Sequence, residues 1–358
     1  MNNRSCKRWC CGLLAGVLAL LAVCAAVVYQ VDPCFYYRMP AGRKPVFFSE
    51  RYQTAGIVRS NPADVVLLGS SMTANYYGSE IGEVFGGTGL RLTIPDGYFS
   101  EFDQVMGLLM REHPPKRVIF AMDANIFTRD PDGATGAMPD YLYDASRVND
   151  VKYLLNKDVL YYSFYALMCH RWGEGEALDT GFSWNDTVWW NHMEALAEYT
   201  RPDIAEAPMA ADALLADTAA NLAVVTGWVE AHPEVEFDLF LSPYSILYWD
   251  KIGRLGETEA VFAALELVCE TLLPYENVRL HGLLFDRDII EQLDYYCDYV
   301  HHSAEAGSLV LEKLTSGADE LTAENYRKVL AHWHDFVVNY DYDKFWDNYY
   351  WYQFHTSP

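Results

Sequence analysis

Two short polar strings, far apart in the chain, carry residue types suited to serine-based acyl chemistry. Ser71 follows an apolar run that stops at Gly69, and His301 closes the string Asp298-Tyr299-Val300-His301. A serine hydroxyl is a weak nucleophile at neutral pH, so it needs a base within hydrogen-bonding reach that a third group orients. His301 is a suitable base, and Asp298 is a suitable orienting carboxylate. The sequence therefore predicts that Ser71, Asp298 and His301 form one catalytic set.

The segments between these strings alternate between strand-like and helix-like patterns. Short apolar runs bounded by polar, glycine or proline residues predict strands at 64–70, 90–94, 117–122, 236–241 and 277–281. Helical periodicity predicts helices at 99–112, 210–231, 257–273 and 304–315, the last with Ser303 as its N-cap and Gly317 after its end. This alternation predicts an α/β fold with a parallel sheet. Ser71 is then expected at the carboxyl ends of the strands, where such sheets bind ligands.

The two strings resemble blocks of a known enzyme family. Gly69-Ser70-Ser71-Met72 resembles the first block of SGNH (GDSL-type) hydrolases, and Asp298-Tyr299-Val300-His301 resembles their closing Asp-x-x-His block. The resemblance implies a three-layer α/β/α sandwich with a flavodoxin-like central parallel sheet. It also implies that Ser71 is the nucleophile and that its backbone N–H, a loop glycine and an asparagine side chain stabilise the oxyanion. Gly97, after the second predicted strand, stands where that glycine is expected.

The third block departs from the family pattern. Asp123-Ala124-Asn125 follows the predicted strand 117–122, where the family has Gly-x-Asn. Either Asp123 or Asn125 is a candidate for the asparagine's oxyanion role. Asn125 is chemically better, because a carboxylate at Asp123 would repel an oxyanion unless it is protonated or turned away.

These residues also allow other interpretations. Ser71 is also a suitable helix N-cap, and Asp298 and His301 could be a structural pair or, with His302, metal ligands. Neighbouring histidine side chains usually diverge, so we predict no metal site, and the proposed chemistry requires no cofactor. Tyr244 and Ser245 follow the predicted strand 236–241 and are expected either to line a substrate pocket or to form a turn.

The N-terminus has the pattern of a membrane anchor. Arg4, Lys7 and Arg8 precede an apolar stretch at 10–29, and about 20 apolar residues span a bilayer as a helix. The positive-inside rule predicts a cytoplasmic tail at 1–9 and an extracytoplasmic remainder, so the protein would be a single-pass protein of the cell membrane. A cleaved signal peptide and a lipoprotein cleavage site before Cys24 are the alternative readings.

Charge and composition limit the remaining possibilities. The chain has 26 basic and 50 acidic residues, a net charge of −24, which argues against nucleic acid as a partner because phosphate binding needs clustered lysine and arginine. We predict a stalk at 30–50, an α/β domain at 51–330 with an aromatic-rich cap inserted at about 127–208, and an aromatic C-terminal tail at 331–358.

The wider layout resembles bacterial membrane-anchored SGNH-like proteins of the cell envelope, such as those of teichoic acid D-alanylation and alginate O-acetylation. This resemblance implies an esterase or O-acyltransferase that acts through an acyl-serine on acyl esters of an envelope polysaccharide or glycopolymer, with a membrane acyltransferase as a further partner. The alternative is a non-catalytic SGNH-fold envelope protein that binds glycan or an assembly partner. A third hypothesis is a metal-dependent hydrolase that uses Asp298 and His301.

Overall fold

The structure is a computed structural model that describes residues 3–146 and 148–346 of the 358-residue chain. Its strands are β1 (Val65–Gly69), β2 (Gly89–Thr93), β3 (Arg117–Met122), β4 (Glu236–Leu241), β5 (Val278–His281) and β6 (Glu320–Leu321). Its helices are α1 (Asn3–Val31), α2 (Glu50–Ser60), α3 (Gly78–Phe85), α4 (Phe99–Glu112), α5 (Ala124–Phe127), α6 (Asp140–Tyr143), α7 (Val151–Leu154), α8 (Lys157–Arg171), α9 (His192–Glu198), α10 (Leu215–Ala231), α11 (Ile246–Arg254), α12 (Thr258–Leu272), α13 (Arg287–Ile290), α14 (Ala304–Ser316) and α15 (Tyr326–Val338). Residues 1–2 of the predicted cytoplasmic tail and 347–358 of the predicted aromatic tail lie outside the described residues.

The strands form one six-stranded, mostly parallel sheet in the order β2-β1-β3-β4-β5-β6. The first five strands are parallel, and β6 is antiparallel to β5. This confirms the predicted α/β class. β6 has no counterpart among the predicted strands, because a strand of two residues has no measurable periodicity. The predicted helix at 210–231 begins too early, because α10 starts at Leu215. Residues 210–214 form a separate turn, closed by the hydrogen bond from the Ala213 N–H to the Ala210 carbonyl.

The chain forms two compact units. Unit 1 contains Met1–Asn61, Gly107–His113 and Ala137–Phe182, and unit 2 contains Pro62–Met106, Pro114–Gly136 and Ser183–Pro358. The whole sheet belongs to unit 2. The predicted stalk belongs to unit 1, and the predicted cap segment is divided between the two units.

In unit 1, a buried carboxylate organises the chain directly after α1. The Asp32 side chain accepts hydrogen bonds from the backbone N–H groups of Tyr36, Tyr37 and Arg38, at 3.0, 2.8 and 2.8 Å. It also accepts one from the Tyr153 hydroxyl of α7, at 2.7 Å. A buried carboxylate needs such partners, because an unpaired one is strongly unfavourable. Asp32 therefore holds the exit of α1 in a fixed position within unit 1.

A second buried polar side chain, Gln53 of α2, holds the rest of the predicted stalk. Its Nε2 donates to the carbonyls of Pro33 and Val46, at 2.9 and 2.8 Å, and its Oε1 accepts from the N–H groups of Phe48 and Ser49, at 2.9 and 3.3 Å. One amide thus satisfies four backbone groups of a segment that has no secondary structure of its own.

In unit 2, alternate residues of the strands face opposite sides of the sheet, as the two-residue period of a strand requires. Leu67 and Ile119 belong to a buried cluster that includes side chains of α3 and α14. On the other side, the ring of Phe120 contacts Phe102 of α4 and Trp228 of α10, with centroids 5.3 and 5.4 Å apart. The strand β1 and residues 118–122 of β3 are apolar and buried, as is typical of strands whose two sides are both covered.

We expect Gln53→Ala to lower the free energy of unfolding by about 2–4 kcal/mol, because it leaves buried backbone groups without partners. Thermal unfolding of the full-length protein in detergent would measure this loss, and hydrogen exchange of residues 33–49 would locate it. Gln53→Glu keeps the size and the acceptor oxygen but removes both donors, so it should also destabilise. Unchanged exchange in both variants would contradict the role assigned to Gln53.

Candidate active site

The end of β1 places Ser71 at the carboxyl edge of the sheet. A Cβ atom at Gly69 would lie 2.6 Å from the Thr73 Cγ2 atom and 2.8 Å from the Ala121 Cβ atom, so only glycine fits where the strand ends. The chain then forms a one-turn 3₁₀ helix at Ser71–Thr73. This tight turn after a buried strand brings Ser71 out of the sheet at the edge where parallel α/β folds bind their ligands.

Ser71, His301 and Asp298 form a continuous chain of hydrogen bonds. The Ser71 Oγ atom lies 2.8 Å from His301 Nε2, and His301 Nδ1 lies 2.6 Å from Asp298 Oδ2. Asp298 Oδ1 accepts the backbone N–H groups of Val300 and His301, at 2.8 and 2.7 Å. The structure therefore brings together the three residues on which the predicted catalytic set depends.

These contacts fix which nitrogen of the neutral His301 ring carries the proton. Burial alone would raise the pKa of the Asp298 carboxyl, but the hydrogen bond and electrostatic attraction of the His301 ring, with the two backbone N–H groups, outweigh burial and lower the pKa. An ionised carboxylate only accepts hydrogen bonds, so His301 Nδ1 carries the proton and donates it. Nε2 is then the acceptor for the Ser71 hydroxyl. Both Asp298 and His301 keep 26% of their side-chain surface exposed, so solvent reaches the pair.

Asn75, which the sequence analysis did not single out, ties three parts of the site together. Its side chain is buried. Its Oδ1 accepts from the Ser183 hydroxyl at 3.1 Å and from the Trp184 N–H at 3.2 Å, and its Nδ2 donates to the His302 carbonyl at 3.3 Å. Asn75 thus links the turn that carries Ser71, the aromatic segment at 183–190 and the loop that carries His301. No local pattern marks it, because its partners are all distant in sequence.

An aromatic wall stands beside the imidazole. The Trp184 ring meets the His301 ring edge to face, with centroids 5.2 Å apart, and stacks on Trp190 at 5.3 Å. The Trp190 indole N–H donates to the Asn185 carbonyl at 2.7 Å, and Asn185 Oδ1 accepts from the Ala304 N–H at the start of α14 at 2.9 Å. These contacts hold the tryptophans of the predicted cap next to the His301 imidazole.

Asp123 lies next to the serine pair, and its carboxyl faces Ser70 rather than open solvent. The Ser70 hydroxyl donates to Asp123 Oδ2. Burial raises the pKa of Asp123 to about 6, while the Ser242 and Ser70 hydroxyls and the charge of His301 act in the opposite direction. No well-formed hydrogen bond joins Ser242 to Asp123 within the described residues. Asp123 therefore titrates in mildly acidic conditions, in a position where its charge interacts with His301.

The predicted oxyanion donors differ in their present hydrogen bonds. The Gly97 N–H donates to the Ile94 carbonyl at 3.0 Å and closes the turn after β2. Its oxyanion role remains a prediction that requires this bond to open. Neither the Ser71 N–H nor the Asn125 side chain makes a hydrogen bond within residues 3–146 and 148–346. Both are thus available as donors.

Tyr244 and Ser245 are buried in the turn between β4 and α11. Ser245 caps α11 by accepting the Leu247 N–H at 3.3 Å, and its hydroxyl donates to the Tyr299 carbonyl at 2.8 Å. Burial, with a further contribution from the Asp123 charge, raises the pKa of Tyr244 well above its usual value, and the Asn125 N–H faces its hydroxyl. Ser245 thus has the turn role, and it anchors the loop of Asp298 and His301 through Tyr299; a pocket role for Tyr244 stays a prediction.

His302 has partners different from those of His301. Its ring lies 3.1 Å from the Ser303 carbonyl through Nδ1 and 3.5 Å from the Tyr76 hydroxyl through Nε2. Burial lowers the pKa of His302 to about 4, so the ring is neutral at neutral pH. Among the residues that the structure describes, no group of three histidine, cysteine or acidic side chains is arranged to hold a metal ion.

We expect Asn75→Ala to lower the free energy of unfolding by about 2–3 kcal/mol, because the Ser183 hydroxyl and the backbone groups of Trp184 and His302 lose their partner. Denaturant unfolding of the full-length protein in detergent is the measurement. Asn125→Ala is the matched control, since that side chain makes no hydrogen bond in the described part of the chain. Equal effects of the two substitutions would contradict the role of Asn75.

We expect Asp123→Asn to remove a pH-dependent contribution to stability. Burial raises the pKa of Asp123 from 3.8 to about 6, so the folded protein holds this proton more tightly than the unfolded chain does. The resulting stabilisation, about 3 kcal/mol, is present below about pH 4 and is lost as the pH rises through about 6. As the pH rises across this range, the free energy of unfolding of wild type should fall by this amount more than that of the variant. The exposed Asp132→Asn is the control, and a pH-independent difference between wild type and Asp123→Asn would refute the assignment.

Comparison with known proteins gives no family assignment. No protein-family model and no curated protein matches the chain. A Streptococcus pneumonia protein described provisionally as a platelet activating factor is 11% identical, with a TM-score of 0.37 over 75% of this chain and 90% of its own. A Bacteroides fragilis protein described provisionally as an acylhydrolase is 10% identical, with a TM-score of 0.34 over 71% of this chain and 85% of its own. At these values the likeness is too low to assign a family or an activity, so the function has to be argued from the site.

Proposed function

We propose that this chain is a membrane-anchored, extracytoplasmic serine esterase or O-acyltransferase of the SGNH type. Its substrates would be acyl esters of an envelope polysaccharide or glycopolymer. The observation that carries the proposal is the unbroken chain of hydrogen bonds from Asp298 through His301 to Ser71. A serine that only caps a helix has no need of an oriented imidazole at its hydroxyl, whereas a nucleophilic serine depends on one.

In the first half of the reaction, Ser71 Oγ attacks the acyl carbonyl carbon while its proton passes to His301 Nε2. The tetrahedral intermediate then collapses, the ester C–O bond breaks, and His301 returns the proton to the departing alkoxide. The products are the free hydroxyl compound and an acyl group on Ser71. Asp298 keeps the ring in the tautomer that accepts the proton and stabilises the imidazolium that forms.

In the second half, His301 Nε2 takes a proton from an acceptor hydroxyl as that oxygen attacks the acyl-serine carbonyl. The second tetrahedral intermediate then collapses, the bond from the acyl carbon to Ser71 Oγ breaks, and His301 returns the proton to Ser71 Oγ. Water as the acceptor gives an esterase, and a sugar hydroxyl gives an O-acyltransferase. The difference depends on how well a bound acceptor excludes water from the acyl-enzyme.

The negative oxygen of each tetrahedral intermediate needs preorganised donors, and losing one such donor raises the barrier by about 3 kcal/mol. The Ser71 N–H and the Asn125 amide are the donors we propose, because neither has an internal acceptor in the described structure. Asp123 becomes a third donor candidate only when it is protonated, and its pKa of about 6 makes that state accessible in mildly acidic conditions.

The sheet topology supports the SGNH-type arrangement as part of the proposal. The five parallel strands run in the order 2-1-3-4-5, which is the strand order of flavodoxin-like folds, whose ligands bind outside the carboxyl ends of the strands. Ser71 follows β1 and Asp123 follows β3, so both belong to that edge. The same edge receives the His301 loop.

The aromatic wall supports a sugar-containing substrate. Flat aromatic faces with polar rims suit sugar rings, because the rings have apolar faces of their own. Trp184 stands beside the base, and the nearby Trp189 side chain is 76% exposed. A glycan lying along the 184–190 segment would present its O-acyl groups close to Ser71.

The anchor supports an envelope location. Cys6–Val31 is long and apolar enough to cross a membrane, and the basic residues before it favour a cytoplasmic N-terminus. The catalytic unit would then act outside the cytoplasm. In the transferase version of the proposal, a membrane acyltransferase would supply the acyl group.

A second candidate function is a non-catalytic envelope protein that binds glycan or an assembly partner. It is favoured by the engaged Gly97 N–H and by a carboxylate at Asp123 in place of the usual third block. In that case the aromatic wall would serve binding alone. The two candidates differ in whether Ser71 is activated.

A fluorophosphonate probe tests this difference on the full-length protein in detergent. We expect one adduct by intact mass on wild type and none on Ser71→Ala or His301→Ala, because only a serine with its base attacks the probe. Ser70→Ala is the matched control: it removes the neighbouring serine, and its adduct should persist at Ser71. No adduct on folded wild type would contradict the enzyme proposal and favour the binding protein.

A further inference from the structure

Helix α8 of unit 1 exposes a continuous apolar face. Tyr161, Phe164, Tyr165, Met168 and Trp172 lie on one side of it and are each between 44% and 66% exposed. Their spacing of three and four residues is that of a single helical face. Aromatic side chains in such a row are unusual on a surface that faces only water.

The opposite face of α8 packs at the end of the apolar anchor. Ala166 and Cys169 form a buried cluster with Val46, and Val31, the last residue of α1, packs against that cluster. The Asp32 network fixes this junction, so α8 is held beside the last turns of α1. Most of the remaining α1 surface is exposed. The exposed face of α8 therefore lies beside the exposed apolar surface of α1, which is suited to contact with lipid.

The length of α1 places α8 at the edge of a bilayer. After Arg8, the uncharged part of α1 runs from Trp9 to Val31, which is 23 residues. As a helix it is about 35 Å long, whereas the hydrocarbon core is about 30 Å thick. The excess of about 5 Å places the last turn of α1, beside which α8 packs, at the outer boundary of the hydrocarbon core. A helix packed against the end of α1 therefore lies in the interfacial layer, where tyrosine and tryptophan collect.

Basic side chains surround the same junction in an otherwise acidic chain. Residues 33–49 contain Arg38, Arg43 and Lys44 and no acidic residue. Arg43, Lys44 and Arg171 line a cavity of about 410 Å³ in unit 1, together with His170 and one carboxylate, Glu174. Basic residues at the membrane surface attract the phosphates of acidic lipids. The charge beside the apolar face thus matches an anionic bilayer.

We infer that α8 is an interfacial helix: its apolar face lies in the outer leaflet of the bilayer, and Arg43, Lys44 and Arg171 bind the phosphate of an acidic phospholipid. The occupant of this face is the bilayer itself. This inference rests on the membrane anchorage in the proposed function and not on the chemistry of Ser71. Its consequence is that unit 1 is held at the membrane by two helices rather than one.

Photo-crosslinking of the full chain in vesicles tests the inference. A benzophenone amino acid replaces Phe164 in one variant and Met168 in a second, and each is reconstituted into vesicles with equal parts of phosphatidylcholine and phosphatidylglycerol. The matched control replaces Tyr162 of the same helix, whose ring stacks on Phe48 with centroids 3.9 Å apart. Flotation selects the vesicle-bound protein, and intact mass identifies the adducts.

We expect phospholipid adducts at positions 164 and 168 and an internal crosslink at 162. The inference is overturned if positions 164 and 168 yield no lipid adduct, or yield a crosslinked dimer, which would assign the face to a second copy. Failure to float would overturn the anchorage and this inference together. Fluorophosphonate labelling of Ser71 would be unaffected by either failure, so the two proposals fail separately.

The basic cluster has its own readout in the same experiment. We expect phosphatidylglycerol adducts at position 164 to exceed phosphatidylcholine adducts about threefold. Replacing Arg43, Lys44 and Arg171 with glutamine should return the ratio to about one while lipid adducts persist, since the apolar face is intact. A ratio of about one in the chain with its basic residues would overturn the headgroup site.

Discussion

The Asp298 carboxylate is the group on which the geometry of the site depends. One oxygen accepts the backbone N–H groups of Val300 and His301, which folds the loop, and the other accepts the imidazole proton, which fixes the tautomer. Ser71 therefore meets a nitrogen with a free lone pair. The same three hydrogen bonds set the shape of the loop and the tautomer of the His301 ring. They also lower the pKa of Asp298, so the ionised carboxylate and the orientation of His301 have one physical cause.

Around this carboxylate, unit 2 uses small numbers of buried polar groups to hold distant segments together. Asn75 joins the serine turn, the aromatic segment and the histidine loop, and Ser245 holds that loop through the Tyr299 carbonyl. Buried polar groups of this kind specify one arrangement, because any alternative leaves them without partners. Asp123 differs: burial raises its pKa to about 6, so its charge, and with it the field at His301, varies near neutral pH.

Unit 1 also uses buried polar side chains to hold a segment of chain in place. Asp32 and Gln53 satisfy backbone groups of a segment without secondary structure and so fix the chain between α1 and α2. The result is a stiff junction at the end of an apolar helix. The proposed interfacial role of α8 depends on this junction, because it holds that helix beside the end of the apolar helix.

The α/β class, five parallel strands and the apolar N-terminal helix could all be predicted from local patterns, because each depends on periodicity and on runs of apolar residues. Ser303 and Gly317 marked the ends of α14 for the same reason: capping is a local interaction. The rest of the site depends on how distant segments pack together. Asn75 and Trp184 join it through partners distant in sequence, the Gly97 N–H is engaged by a turn, and β6 pairs over only two residues. Contacts between distant segments are set by packing of the whole chain, and no local pattern in the sequence records them.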